Sequence, residues 1–343
     1  MDPAENTPRR GLPKWLPPAL GYTISAVCLA WVLHGYPLGE LIPNIRALDF
    51  RWVLLAVVAD LAVYVVQAWR WNTLLGPVAR LGLWRTVQAV YIGLFADEVL
   101  PLRPGEVIRV YLVTHWNDLR LSLGFASWGV ERIIDGLWLL VTFFITAGFV
   151  RGVPANLVIA VEVGGALLVI AALVLIWVMR RRQEEPHVVV SEGRWASTLR
   201  HVREGLQLMG NWRTLGYTTA ISLGFVALQV VTLWALMKAY GLDLGFWVGC
   251  GVLTIMRVGT VVPNAPGDIG VVQFAAVMAL GLFEVEKNDA KTFSFIYLLA
   301  TRLPLLAGGA VATAMSGLNL GELHRRAHRG HRAGQGETAP EEQ

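Results

Sequence analysis

Two stretches decide how this chain is read: Leu100-Pro101-Leu102-Arg103-Pro104-Gly105-Glu106-Val107 and Val262-Pro263-Asn264-Ala265-Pro266-Gly267-Asp268-Ile269. Both contain Pro-x-x-Pro-Gly followed by an acid, and they lie 162 positions apart. The same offset sets Arg51 on Arg213, Gln67 on Gln229 and Trp84 on Phe246. A lone motif of this kind is a weak signal, whereas two in matching positions indicate an internal repeat. Proline and glycine together break a helix and free backbone polar groups, which lipid cannot satisfy. Such a break belongs inside protein or beside a water-filled cavity.

The rest of the chain is apolar. Its 343 residues are 55% hydrophobic and only 16% charged, against about 25% charged in soluble domains. Mean hydropathy is +0.52. This excludes a secreted disulfide scaffold, a disordered chain and a soluble nucleic-acid binder. Cys28 and Cys250 both fall in apolar segments and read as packing residues. Fourteen Trp residues suit interfacial belts.

Outward from the two turns, apolar spans are expected at 16–33, 50–71, 121–150, 155–179, 215–240 and 292–318. Between them lie the segments 84–100 and 105–116, and 246–262 and 268–283. A crossing needs about 20 residues, so 105–116 is too short to span. Lys and Arg number seventeen on the side of the N-terminus and six on the other, which places both termini in the cytoplasm. Parity then makes 84–116 a hairpin that enters and leaves on the cytoplasmic side. It makes 246–283 either a hairpin from outside or two full spans. The expected fold is an all-α polytopic membrane protein with about six full spans, two re-entrant helical hairpins and two inverted structural repeats. The expected organisation is a cytoplasmic N-terminus at 1–15 and one transmembrane domain at 16–318. Within that domain, repeat one covers 16–150 and repeat two 155–318, with an arginine-rich cytoplasmic loop at 180–213. A disordered cytoplasmic tail is expected at 319–343.

Charge inside such a domain is informative, because each ionised residue at a helix centre costs about 2.5–3.5 kcal/mol on insertion scales. Arg132, Arg257 and Arg302 lie about 10–12 residues into their segments, near mid-membrane at about 1.5 Å per residue. Arg103, Arg109, Arg257 and Arg302 are the candidate contacts for a lipid headgroup or other anion. The turns Pro101, Pro104, Gly105 and Glu106, and Pro263, Pro266, Gly267 and Asp268, are expected to carry the helix breaks. Pro104 and Pro266 would each occupy the first turn of the following helix and present its free N–H groups to an anion. Glu131, Arg132 and Asp135 read as an intramembrane ion pair or relay, with Glu131 and Asp135 on one helix face. Asp60 and Glu162 read as polar packing or interfacial residues. No metal site, cofactor motif or catalytic motif is recognised, so no enzyme activity is expected.

At these residues the chain resembles the lysylphosphatidylglycerol synthase transmembrane-region family. This is the flippase-like membrane domain of the multiple peptide resistance factor and of many stand-alone bacterial and archaeal proteins. The resemblance rests on Trp69-Arg70-Trp71-x-x-Leu74-Leu75, on Leu100 to Arg109, on Glu131-Arg132-x-x-Asp135 and on Pro263-x-x-Pro266-Gly267-x-x-Gly270, and covers about 16–318. It implies an integral membrane protein that moves or handles polar-headed lipids. The chain has no room for the aminoacyl-transferase domain of the full-length synthase, so synthesis of lysyl lipid is not expected. Gln273 stands where an acid is expected after the second turn.

The leading expectation is a translocase for a polar-headed, anionic lipid in a bacterial inner membrane, working by alternating access. The alternatives are a proton-coupled small-anion carrier titrating Glu106 or Asp268, or a scaffold for lipid or lipid-sugar assembly. The expected partners are membrane lipid and a separately encoded lipid-modifying enzyme, with no nucleic acid.

Overall fold

The computed structural model describes residues 16–100, 103–149, 155–180, 206–207, 209–260 and 264–317. The expected N-terminus, the tail, most of the 180–213 loop, Pro101 and Pro263 lie outside these residues. All regular structure among them is helical: α1 (Leu16–Leu33), α2 (Leu41–Arg46), α3 (Phe50–Leu75), α4 (Leu83–Val99), α5 (Gly105–Trp116), α6 (Leu121–Phe149), α7 (Ala155–Arg180), α8 (Trp212–Tyr240), α9 (Phe246–Gly259), α10 (Val271–Gly281) and α11 (Lys287–Ser316). Short 3₁₀ turns cover Leu38–Glu40 and Pro266–Asp268.

Among the described residues, four helices are long and apolar enough to cross a membrane: α3, α7 from Glu162 to Met179, α8 and α11. A fifth crossing is available if α1 and the segment Leu38–Arg46 act together, although they are bent by 81°. Sequence reading missed α2 and this bend. The 29-residue α6 is long enough but carries Glu131, Arg132 and Asp135 in its first half.

Several boundaries move from their expected places. Helix α3 runs on to Leu75, α8 starts at Trp212 and α11 starts at Lys287. The starts of α3 and α8 have the same local cause. Asp49 accepts the Arg51 N–H at 3.0 Å and Asn211 accepts the Arg213 N–H at 3.2 Å. Each side-chain oxygen satisfies an otherwise orphaned donor of the first turn. Asp49 and Asn211 are 162 positions apart, as are Phe50 and Trp212, the first residues of the two helices. The later starts drift, and α11 begins four residues beyond the position that offset gives from α6.

Helices α3 and α8 pack along each other and run antiparallel. The Asp49 N–H bonds the Ala239 carbonyl at 3.1 Å, and the Trp52 and Trp234 rings lie 5.3 Å apart. Further along, Arg70 reaches Ser222. Each end of this pair supports its own core. One holds Trp71, Leu74, Ile92, Leu112 and Val130 from α3 to α6. The other holds Leu233, Leu236, Val252, Leu280 and Phe293 from α8 to α11. Helix α4 also packs on α11, and α9 packs on α6.

Helices α4 and α5 form a tight hairpin. Gly105 has no room for a side chain, because a Cβ there would run into the Gly93 carbonyl oxygen and the Asp97 carboxylate. Helices α9 and α10 pack as the second hairpin.

Candidate functional site

Most of the charged residues expected inside the membrane fall into two networks, and Arg257 stands in a separate pair. The first network lies among α3, α5, α6 and α8. Arg70, completely buried, donates from Nε to Glu131 Oε1 at 3.2 Å, from Nη2 to Asp135 Oδ2 at 3.2 Å and from Nη1 to Ser222 Oγ at 3.3 Å. A further bond joins its Nη1 to Asp135 Oδ1. The Phe225 ring lies 4.7 Å from the guanidinium carbon. Arg109 pairs with Glu106 at 2.7 Å and Glu131 at 3.3 Å, and lies over the Trp71 ring at 5.0 Å. Arg132 closes the network with Asp135 at 3.4 Å and Glu106 at 3.8 Å. Trp128 donates to Glu106 at 2.8 Å. Three arginines thus face three carboxylates, so the formal charges cancel.

This arrangement revises the expected pairing. Glu131 is held by Arg70 and Arg109 rather than by its neighbour Arg132. The missed member is Arg70, which lies at the end of the expected span 50–71 and was not among the expected site residues. Its signal was the Trp69-Arg70-Trp71 motif, in which a cation sits between two tryptophans, and only the second, Trp71, is buried.

The second network joins the two breaks. Arg103 grips Asp268 with two bonds, Nη1–Oδ1 at 2.8 Å and Nη2–Oδ2 at 3.2 Å, and reaches Asn264 Oδ1 at 3.1 Å. Asn264 donates to the same carboxylate at 2.8 Å. Arg302 of α11 contacts Asp268 Oδ2 at 3.3 Å and Glu98 Oε1, at the end of α4, at 2.5 Å. Residues from both hairpin tips therefore share one carboxylate. Arg103 and Asp268 both have left-handed backbone, with φ of 51° and 56°. That region costs a non-glycine residue about 1–2 kcal/mol. Gly267, beside Asp268, also has a positive φ of 72°, and a Cβ there would lie 2.6 Å from Glu98 Oε2. The second tip is anchored to α1, since the Ala265 N–H bonds Ser25 Oγ at 2.7 Å.

The two helix starts also differ from expectation. Pro104 is the residue before α5, and Pro266 opens the 3₁₀ turn, while α10 begins only at Val271. Their first N–H groups are engaged by the protein itself. Gly105 N–H bonds Asp97 Oδ1 at 2.6 Å, and Gly270 N–H bonds Gln273 Oε1 at 2.6 Å. Asp97 thus occupies the place expected for an anion at the start of α5. Gln273 serves as a cap where an acid was expected.

The separate pair is Arg257 and Gln229, on α9 and α8, joined at 2.7 Å. Nearby, Asp60 is buried and accepts from the Tyr64 hydroxyl at 3.3 Å. Glu162 is exposed on α7. Among the described residues no group of three or more His, Cys, Asp or Glu is placed to hold a metal ion.

Of the four expected anion contacts, the structure places Arg103 and Arg302 together on Asp268. Arg109 lies in the other network and Arg257 stands apart from both.

The sequence is similar to that of the UPF0104 membrane protein MJ1078 of Methanocaldococcus jannaschii, with 20% identity over 220 residues. The match covers 64% of this chain and 92% of that protein. The pattern described as "Lysylphosphatidylglycerol synthase TM region" matches residues 19–309, a stretch that contains both hairpins, both networks and the Arg257–Gln229 pair. With that extent of match, the chain is a membrane protein belonging to the lysylphosphatidylglycerol synthase TM region family.

Proposed function

We propose that this protein is a lipid translocase that carries a polar-headed, anionic lipid between leaflets by alternating access. The observation that carries the reading is the shared carboxylate of Asp268, on which Arg103 of the first break and Arg302 of α11 converge. Three features support two inverted repeats: antiparallel packing of α3 on α8, the reciprocal packing of α4 on α11 and α9 on α6, and helix starts near one offset. In this reading α4–α5 and α9–α10 are re-entrant hairpins, six helices cross the bilayer, and both termini are cytoplasmic in a bacterial inner membrane. Rocking the two repeats apart separates the hairpin tips. Arg103 then loses Asp268, and a headgroup phosphate supplies the replacement oxygens, for which a guanidinium is well shaped. A separately encoded enzyme would make or use the lipid, and no cofactor is required.

The decisive test is reconstitution into vesicles containing a fluorescent phosphatidylglycerol, with quencher added outside. Protein-dependent movement between leaflets is expected, slowed in Arg103→Ala. Equal rates in protein-containing and empty vesicles would overturn the proposal. Topology is tested separately with single cysteines. Position 289 should be labelled only from outside and position 191 only from the cytoplasm, and labelling of both from one side would exclude the inverted arrangement.

A further inference from the structure

The four arginines first considered together do not have equivalent surroundings. Arg103, Arg109 and Arg302 are each within 4 Å of at least one carboxylate. Arg257 forms no ion pair with any described carboxylate. Its side-chain partner is the neutral Gln229, whose Oε1 accepts from Nη2 at 2.7 Å. Arg257 is exposed, and it lies eleven residues beyond Phe246, the first residue of α9. At about 1.5 Å per residue that is roughly 17 Å along the helix. An exposed guanidinium at such depth calls for water or a counter-anion.

A second observation points the same way. Having turned its oxygen to Arg257, Gln229 leaves Nε2 buried with no hydrogen-bond partner. A buried donor without an acceptor is an expensive state that a ligand oxygen would relieve. The pair therefore offers donors from two adjacent side chains and lacks an acceptor. Asp60 lies within electrostatic range of Arg257, as does Tyr297. The Asp60 carboxylate accepts from Tyr64 and makes no ion pair with Arg257.

We infer that Arg257 and Gln229 form a further site that contacts a phosphate oxyanion, one open to an anion while Arg103, Arg109 and Arg302 are still paired with the protein's own carboxylates. The assignment rests on the translocase reading for the source of that phosphate, a phospholipid headgroup. A free phosphate presents the same oxygens, so the two sources must be separated.

The test uses the full chain in detergent, titrated with dioctanoylphosphatidylglycerol, with phosphate-free dioctanoylglycerol and with inorganic phosphate. A charge-assisted hydrogen bond supports a loss of about tenfold or more in phosphatidylglycerol affinity for Arg257→Gln. Arg257→Lys should fall between, because an ammonium does not bind two phosphate oxygens side by side. Gln229→Leu should weaken binding by roughly threefold to tenfold, since one neutral donor is lost. Lys238→Gln, in the last turn of α8, should leave affinity unchanged. Binding of dioctanoylglycerol should not respond to any of the variants. Unchanged phosphatidylglycerol affinity in Arg257→Gln and Gln229→Leu would overturn the site. Should Arg257→Gln fail to fold, Arg257→Lys and Gln229→Leu decide in its place. Inorganic phosphate binding as tightly, with the same dependence on Arg257, would keep the contact but overturn the lipid source. Arginine-dependent lipid binding without leaflet movement would keep the site and remove the translocase reading.

Discussion

The two charge networks use the same side-chain chemistry in different settings. The Arg70 and Glu131 side chains are both fully inaccessible to solvent. The tip network has an Arg103 side chain that is 40% exposed, facing an Asp268 side chain that is 10% exposed. The first is built from helix interiors. The second is built from the end of α4, the two turns and Arg302 within α11, with two of its members in left-handed backbone. Breaking a buried pair strands a charge without solvent, at a cost of about 3–5 kcal/mol. Removing Arg103 gives up a half-exposed partner and leaves Asp268 paired with Arg302, so the loss should be smaller. The comparison separates a buried fastening within α3, α5 and α6 from a more exposed contact between the tips.

The largest expected effect is at the fastening. Arg70→Ala should lower unfolding stability by about 3–5 kcal/mol, read from a denaturation series in detergent. The double change Arg70→Met with Glu131→Leu should recover part of that loss, since neither charge is then left unpaired. A single change as mild as one at Arg103 would erase the distinction between the networks.

Next comes the hairpin itself. Gly105→Leu must push α4 from α5, and overpacking of this kind costs about 1–3 kcal/mol. The protein should still insert, with leaflet movement impaired. Normal movement in Gly105→Leu and Gly267→Leu would make the breaks packing kinks.

At the tips, Arg103→Ala should cost less stability than Arg70→Ala, because the Arg103 side chain is 40% exposed and Asp268 keeps Arg302 as a partner, yet it should slow leaflet movement. A stability loss matching that of Arg70→Ala, with an unaltered rate, would make the tip network a second fastening.

The smallest effect is expected at Asp243, in the loop after α8. The hydrogen bond from Lys238, together with its charge, holds this carboxyl below the ordinary aspartate value. A carboxyl depressed in the folded state contributes stability above the unfolded value and loses it as pH falls through the folded value. Because Asp243 is exposed, Asp243→Asn should match the wild type in thermal melts at pH 7. Any separation should narrow below about pH 4, where aspartate protonates. A large separation at neutral pH would contradict this exposed-pair reading.

Helix positions were legible where the signal was local. The apolar runs gave most of the helices, and Pro-x-x-Pro-Gly located both breaks. Partner identity was not legible, because it depends on which helices pack together. Glu131 and Arg132 are neighbours in sequence, but on a helix adjacent residues point in different directions. That left Glu131 to Arg70, 61 positions away. Burial of Arg70 was hidden because it sits at the expected end of the span, whereas α3 continues to Leu75 and encloses it. The capping of Gly105 by Asp97 was equally hidden. It needs α4 folded back on α5, a geometry that a separation of eight positions does not specify.

The antiparallel contact of α3 on α8 has a consequence for assembly. If α3 and α8 are equivalent elements of two inverted repeats, the surface that each presents is matched to a copy of itself turned over. Such a self-complementary contact is the kind that closes a two-fold symmetric dimer. A fragment ending after α6 would carry one face of this contact on α3, exposed along its whole length. Expressed alone in a membrane, it should seek a second molecule in the opposite orientation. On that reading, the joined chain would fix the upside-down partnership within one molecule and remove the need for two topologies of one product.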